Sequence, residues 1–507
     1  MEWNANKPGL EIGVVGTGTM GRGIAQVAAQ AGITVWMLDR DPAALAQARE
    51  AIARTLGGLA DKGRLSAAQR DAAVACLQPA AAVTDLKDCD IVVEAIAEDL
   101  EAKRALFASL EEVLRPDAIL ATNTSSLSVT AVAAKARHPG RVAGWHFFNP
   151  VPLMKIAEVV DGLATAPWAS QALMDLSARL GHKAVRASDM PGFIVNHAGR
   201  AYIPEGLRLL SEGIAPFHDI DRIMRDCAGF RMGPFELIDL VGLDVGQTVM
   251  ESLYNQYYQE PRFKLTPVVA QRVAAGLYGR KSGRGFYDYA SGQPPPIADG
   301  APPAAPPAPV WVCPVEPDLA APVAAALARG GARLESGPQP SAEALIVTTP
   351  VGKDTATTCV ELGLDARRAV AVDALFPLDR RVALMCSPAT GAHYRDIAHA
   401  YFAAAGAAVS VLRDSPGFVA QRIVAQIVSI GCDIAQQRIA APADIDLAVR
   451  LALGYPKGPF ELGDAIGARR ILAVSESLSQ AYDEPRYRPS IWLRRRAMLG
   501  LPLSQAD

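Results

Sequence analysis

Three short motifs in this chain occur twice, and the two members of each pair lie the same distance apart. Pro191-Gly192-Phe193 returns as Pro416-Gly417-Phe418, Asp219-Ile220-Asp221 as Asp444-Ile445-Asp446, and Gly233-Pro234-Phe235-Glu236-Leu237 as Gly458-Pro459-Phe460-Glu461-Leu462, each 225 positions later. Asp239 and Gly242 keep that register at Asp464 and Gly467. Separated motifs that hold one offset without a gap call for a duplicated structural unit. Around the first copies the patterning is helical, with stops and starts at DMPGFIVN, FHDIDR and RMGPFELIDLVG. The chain is therefore expected to carry a mostly helical domain over 189–290 and a second copy of it over 411–507.

What precedes each copy is different in kind. Residues 1–188 alternate apolar strand runs with helical patterns, including DCDIVVEAIAEDLEAKRALFASLEEVL, AILATNTSSLS and RVAGWHFFNP. That alternation predicts an α/β domain with a doubly wound parallel sheet. Residues 310–410 hold shorter runs (EALIVTTP, RAVAVDALFP, RVALMCSP) without a glycine-rich turn, which predicts a smaller, degenerate α/β domain. Between them SGQPPPIADGAPPAAPPAP, residues 291–309, cannot bury a core and favours extended conformations, as a linker does. A chain of 507 residues exceeds one ordinary core in any case.

The first α/β domain opens on GVVGTGTMGRGIAQVAAQAGITVWMLDR. It reads as strand Ile12 to Val15, tight turn, helix to about Ala31, and strand Ile33 to Leu38. Gly16, Gly18 and Gly21 stand in the spacing G-x-G-x-x-G. The first permits the turn, the second lets the backbone approach a pyrophosphate, and the third lets helix pack on strand. The helix that follows aims its N–H groups and the positive end of its dipole at the phosphates. Asp39 ends the second strand, where a carboxylate accepts from ribose hydroxyls and repels a 2′-phosphate. These residues predict an NAD site, with Arg40 as the one feature that tempers the rejection of NADP.

Three further clusters carry candidate chemistry. Asn123-Thr124-Ser125-Ser126-Leu127 follows an apolar strand and so lies at the sheet edge where such folds bind ligands. His146 lies in GWHFFNPVP with Asn149, and Glu158 follows the histidine by twelve residues. Asn196 closes DMPGFIVN at the junction of the α/β and helical domains. Singly each has an ordinary structural explanation: a satisfied core histidine, a helix-capping serine, a buried amide, a surface ion pair. Together with a dinucleotide turn they suit alcohol oxidation, because removal of a hydride needs a base for the hydroxyl proton and imidazole titrates near neutral pH.

The bulk numbers close off other classes. A net charge of -3 leaves no basic footprint for nucleic acid or an anionic membrane. The opening MEWNANKPGLEIGVVG lacks a basic stretch followed by an apolar one, and no later apolar run is long enough to span a bilayer, which predicts a cytoplasmic protein. Seven scattered cysteines without C-x-x-C read as reduced thiols, and no metal site is expected.

GTGTMGRGIAQ, VVEAIAED, TNTSSL, HFFNPVP and PGFIVN together resemble the L-3-hydroxyacyl-CoA dehydrogenase family, directly over residues 10–290 and through the repeat to the C-terminus. The resemblance implies NAD-dependent oxidation of an (S)-3-hydroxyacyl-CoA to the 3-oxoacyl-CoA. His146 is then the general base and Glu158 its orienting carboxylate, while Ser125 and Asn196 hold the substrate oxygen and Asn149 stands beside them. Glu98, Lys103 and Asn123 match cofactor contacts, and Asp39 the ribose carboxylate. Arg54, Lys62 and Arg64 are the cations placed to meet CoA phosphates. The long tandem form is similar to family members of phenylacetate breakdown, which implies a 3-hydroxyadipyl thioester, with 3-hydroxybutyryl as the alternative.

The offset carried backwards puts Ala383 at the place of Glu158, Gln421 at that of Asn196 and Asp373 near that of His146, so the second copy is expected to be inert. Shorter members of the family pair through the helical domain, which implies that the second copy serves as an internal partner, apolar face to apolar face. Further association between chains stays open. A β-hydroxyacid dehydrogenase acting on free acids would rely on a lysine in place of His146 and Glu158. A binding protein without turnover would not need the Ser125, His146, Glu158 and Asn196 set.

Overall fold

The computed structural model describes residues 3–294 and 297–506. The chain forms two compact units. One runs to His197 and adds Gln437–Leu453; the other takes Ala198–Gln436 and the chain from Gly454 onward.

The first unit is built on eight strands: β1 Glu11–Val15, β2 Thr34–Leu38, β3 Leu77–Pro79, β4 Ile91–Glu94, β5 Ile119–Thr122, β6 Val142–Phe147, β7 Ile156–Asp161 and β8 Lys183–Ser188. They lie in the order β3-β2-β1-β4-β5-β6-β7-β8. Every residue of β4, β5 and β6 is buried, which is why these strands read as continuous apolar runs instead of alternating ones. The sheet is not wholly parallel. β6 and β7 run antiparallel, since the short connection between them is too brief for a crossover. That reversal sets His146 directly across from Glu158.

The second unit contains β9 Val310–Val312, β10 Leu334–Glu335, β11 Leu345–Thr348, β12 Ala369–Val372, β13 Arg381–Cys386 and β14 Ala408–Arg413, ordered β10-β9-β11-β12-β13-β14. Here too the fold reverses once, β12 against β13, before a parallel edge strand. The edge β12-β13-β14 thus reproduces β6-β7-β8.

The duplicated helices change places. In the first unit the second-copy helix Pro442–Leu453 packs over β7 and β8, and Ser188 N–H donates to Ile439 O at 2.8 Å. In the second unit the first-copy helix Phe217–Asp226 packs over β13, and Arg413 N–H donates to Ile214 O at 3.0 Å. Residues 188 and 413, like 214 and 439, are repeat equivalents, so the two hydrogen bonds are one contact made twice with the roles exchanged.

Within the second unit the helix Tyr202–Ser211 of the first copy lies against Ala420–Gln436 of the second. Arg262 donates to Arg488 O at 2.8 Å and Arg486 to Lys264 O at 3.0 Å, again an exchanged pair. The register there is 224, because one residue fewer separates Tyr482 from Glu484 than Tyr257 from Glu260. The centre of this pairing is ionic as well as apolar. Glu205 and Arg422 are both fully buried and bonded to each other, with Arg486 at 3.1 Å and the Tyr487 hydroxyl at 2.8 Å from the same carboxylate. Apolar faces alone do not describe it.

The proline-rich segment is pinned rather than free over its described part. Arg222 bonds Ile297 O, and Asp299 accepts from Arg222 at 3.1 Å and from Arg381 at 3.0 Å. Ala308 is held at both its N–H and its carbonyl by the Tyr401 hydroxyl. Pro295 and Pro296 lie outside the described residues. No helix among the described residues is long and apolar enough to cross a membrane.

Candidate active site

The dinucleotide turn is shaped by what its glycines leave out. A Cβ on Gly21 would sit 1.8 Å from Gly16 O, so no other residue fits beneath the turn. A Cβ on Gly18 would meet nothing within 4 Å. Gly18 is also the N-cap of the helix Thr19–Gln30 and offers no side chain to its free N–H groups, which are left for an anion. Gly16, Gly18, Asp39, Arg40, Val83 and Ile96 border a cavity of about 710 Å³. Asp39 Oδ2 accepts from Thr17 N–H at 2.7 Å and Thr17 Oγ1 at 2.8 Å, and Oδ1 from Asp41 N–H at 3.1 Å. Burial pushes the Asp39 carboxyl up, but these bonds and the neighbouring Arg40 outweigh it and hold the group below its usual range. A fixed carboxylate at this end of an open phosphate cradle fits NAD.

Past β4 the polar residues form a graded support. Lys103 Nζ lies 2.8 Å from both oxygens of Glu94 and 3.2 Å from Glu98, with only 1% of its side chain exposed. Its ammonium is thus engaged by carboxylates below the surface, beside Glu98. Glu98 Oε1 accepts from Thr124 Oγ1 at 2.6 Å, Ser125 N–H at 3.0 Å, and Ser126 N–H at 3.1 Å. Burial raises the Glu98 carboxyl, yet those donors and Lys103 bring it below the usual value. Glu94 and Thr122, which sequence reasoning passed over, make this floor with Thr124; a glutamate inside the apolar run IVVE was the available signal.

Asn123 Oδ1 accepts Phe147 N–H at 2.9 Å, which joins the end of β5 to the end of β6 beside His146. His146 Nδ1 is 2.6 Å from Glu158 Oε2. Glu158 is fully buried, and its other oxygen accepts the N–H groups of Ile194 at 3.0 Å and Val195 at 2.8 Å. One carboxylate thus fixes the imidazole and the start of the turn that presents Asn196. With Nδ1 donating to Glu158, Nε2 is the acceptor nitrogen. Phe148 and Phe193 flank the ring, centroids 4.5 and 5.8 Å away. Asp189 ties the same turn to the helix after Ser125, accepting from Ser128 Oγ, Val129 N–H and Thr130 N–H. Ser125 and Asn149 are exposed and Asn196 is half-buried. Arg54, Lys62 and Arg64 stand apart from this cluster: all three are exposed, and Arg54 faces Glu50 on its own helix at 3.5 Å.

The family model of the 3-hydroxyacyl-CoA dehydrogenase NAD-binding domain matches residues 11–190, and that of the C-terminal domain matches twice, at 192–289 and 417–502. The chain is 38% identical to the 3-hydroxyadipyl-CoA dehydrogenase of Escherichia coli (strain K12), over 96% of this chain and 97% of that one. The chain belongs to the 3-hydroxyacyl-CoA dehydrogenase family. A crystal structure of 3-hydroxybutyryl-CoA dehydrogenase from Escherichia coli K12 superposes with a TM-score of 0.86 at 35% identity, covering 97% of this chain and 99% of that one. A probable 3-hydroxybutyryl-CoA dehydrogenase of Bacillus subtilis (strain 168) is 39% identical but covers only 55% of this chain, with 97% of its own length. The enzyme is an NAD-dependent oxidoreductase of 3-hydroxyacyl-CoA thioesters, built in a tandem form.

Its second copy keeps the frame but not the His–Glu pair. Val372 pairs with Leu384 as Trp145 pairs with Val159, so Asp373 takes the position of His146 and Ala383 that of Glu158. Asp354 caps the helix Thr355–Leu362 as Ser128 caps Val129–Ala133, which places Val351 where the first copy has Ser125. Gln421 Nε2 donates to Asp373 Oδ1 at 2.9 Å. Asp414 repeats the part of Asp189, accepting from Thr355 N–H and Ala356 N–H.

Proposed function

We propose that His146 takes the C3 hydroxyl proton of the thioester on Nε2 while Glu158 holds Nδ1–H and stabilises the imidazolium that forms. The observation that carries this reading is the 2.6 Å contact between His146 and a Glu158 that is fully buried and doubly anchored by backbone N–H groups. A carboxylate so fixed favours the positive ring over the neutral one at the moment of proton transfer. NAD, when bound, supplies the acceptor for the C3 hydride. Ser125 and Asn196 hold the substrate oxygen, with Asn149 beside them. Gly16, Gly18 and Gly21 make room for the pyrophosphate, Asp39 accepts the ribose hydroxyls, and Glu98 and Asn123 line the path of the cofactor. Arg54 and Lys62 are free to meet CoA phosphates at the surface.

The favoured substrate is 3-hydroxyadipyl-CoA, because the relative so named is similar across nearly the whole tandem chain, and the reaction then belongs to phenylacetate breakdown in the cytoplasm. The second helical copy acts as the internal partner of the first. Turnover on 3-hydroxyadipyl-CoA against 3-hydroxybutyryl-CoA tests the substrate: kcat/KM at least tenfold higher for the adipyl thioester is expected, and a preference for butyryl replaces it with the shorter substrate.

A further inference from the structure

His182 immediately precedes β8 and has no role assigned above, with 2% of its surface exposed. Nε2 is 3.0 Å from Val151 O and Nδ1 is 3.1 Å from Leu180 O. The ring also meets Phe147 edge-on, centroids 5.4 Å apart. Phe147 ends β6 directly after His146 and leads into the connection that carries Asn149 and Val151. The same connection presses on the dinucleotide helix, where a Cβ on Gly23 would fall 2.8 Å from Val151 Cβ. Burial, the largest influence, lowers the His182 pKa, while its bonds to Val151 O and Leu180 O oppose the shift. Leu180 is two residues away in the same turn; only the bond to Val151 reaches another element.

The second copy shows what the fold itself needs at this edge. β12, β13 and β14 repeat the pairing of β6, β7 and β8, yet the position of His182 is Ala407. The connection there is two residues shorter, measured between the paired residues Trp145 and Val159 and between Val372 and Leu384. The reversed strand pair therefore forms without a histidine clasp and without the longer connection. Both occur only where His146 and Glu158 occur, whereas Asp189 and Asp414, which serve the frame, occur in both.

We infer that His182 is a positioning residue for the reaction, its Nε2–H fixing Val151 so that the 147–152 connection holds Asn149 and the flank of His146 in place. This rests on the roles proposed for His146 and Asn149. His182→Leu keeps the bulk and removes the donor, whereas His182→Gln keeps a donor able to reach Val151 O. The Leu variant is expected to lower kcat about tenfold, the scale of a modest misplacement at a reacting centre, with the NADH Kd unchanged within about twofold. The Gln variant should recover kcat to within about threefold of the parent. If His182→Leu does not fold, His182→Asn, whose amide is too short to reach, takes its place against Gln. A kcat equal to the parent in the donor-less variant, or a Gln variant as slow as Leu or Asn, overturns the inference. His146→Ala run in parallel separates the two readings, since its loss of turnover tests the base whatever His182 does.

Discussion

At the scale of single residues, the proposed mechanism rests on one hydrogen-bonded pair, His146 and Glu158, held in a single geometry by its surroundings. Glu158 receives three donors on two oxygens with no access to water, so the imidazole it faces has one orientation and one acceptor nitrogen. Removing the ring removes the proposed general base, while Glu158 keeps the Ile194 and Val195 N–H groups. His146→Ala is therefore expected to lower kcat by roughly two to four orders of magnitude while NADH binding, followed by fluorescence titration, is unchanged. Turnover near the parent value would exclude His146 as the base. Asp39 is a residue of a different kind, proposed to sort cofactors. Its carboxylate is held charged by Thr17 and Asp41, and a 2′-phosphate brought beside it meets like charge. Arg40, exposed on the same cavity wall, becomes the dominant charge once Asp39 is neutralised. Steady-state kinetics of Asp39→Ala should show the ratio of kcat/KM for NAD over NADP falling by at least about tenfold, and an unchanged ratio would place the discrimination elsewhere.

At the scale of elements, the β6–β7 reversal is what turns a dinucleotide fold into this site. Twelve positions separate His146 from Glu158, and the antiparallel pairing makes them cross-strand neighbours. The glycine spacing, Asp39 and the duplicated motifs were legible because each is a local pattern or a fixed offset. The reversal was not, since an apolar run looks the same in either direction. Nor were the exchanged helices, which meet their strands through residues as far apart as Ser188 and Ile439 or Ile214 and Arg413. The burial of Lys103 was not legible either, because its carboxylate partner Glu94 sits inside an apolar run. The same reversal in the second copy places Asp373 where the first has His146, with Oδ1 taking the Gln421 amide and Oδ2 finding no hydrogen-bond partner. Burial pushes its carboxyl up to about 6, only partly offset by Gln421 and the Leu375 N–H. A raised carboxyl contributes stability that is fully present below its unfolded value, about pH 4, and is lost as pH rises through 6. Asp373→Asn should therefore stabilise the protein at pH 8 by about 1–3 kcal/mol in urea unfolding and leave it unchanged at pH 4. A variant less stable than the parent at pH 8 would show that the ionised carboxylate is favoured.

At the scale of the whole molecule, duplication has given one chain the contacts that a two-fold pair makes between subunits, in which residue i meets j and j meets i. The exchanged bonds of Arg262 and Arg486 have that form, and those of Ser188 and Arg413 repeat it. The charges at the centre do not: Glu205 is matched by Arg422 and Arg486, while its repeat equivalent is Ile430 and that of Arg422 is His197. Burial pushes the Glu205 carboxyl up, but the two guanidiniums bring it down to about 2. Its stabilisation is thus present above the ordinary carboxylate range and lost only as pH falls towards 2. Ending the chain after Tyr289 removes Arg422 and Arg486 from Glu205, Asp433 from Arg262 and the Ile439 carbonyl from Ser188. A buried charge stripped of its partner costs about 3–5 kcal/mol, and the apolar residues of Tyr202–Ser211 lose their cover at the same time. The truncated chain still carries a cation, Arg262, that a second copy could present to Glu205, so pairing with itself relieves part of that cost. It should sediment as a dimer or as larger aggregates, with a lowered unfolding temperature. A truncated chain that stays monomeric, as stable and as active as the full enzyme, would mean that the second half is not the partner of the first.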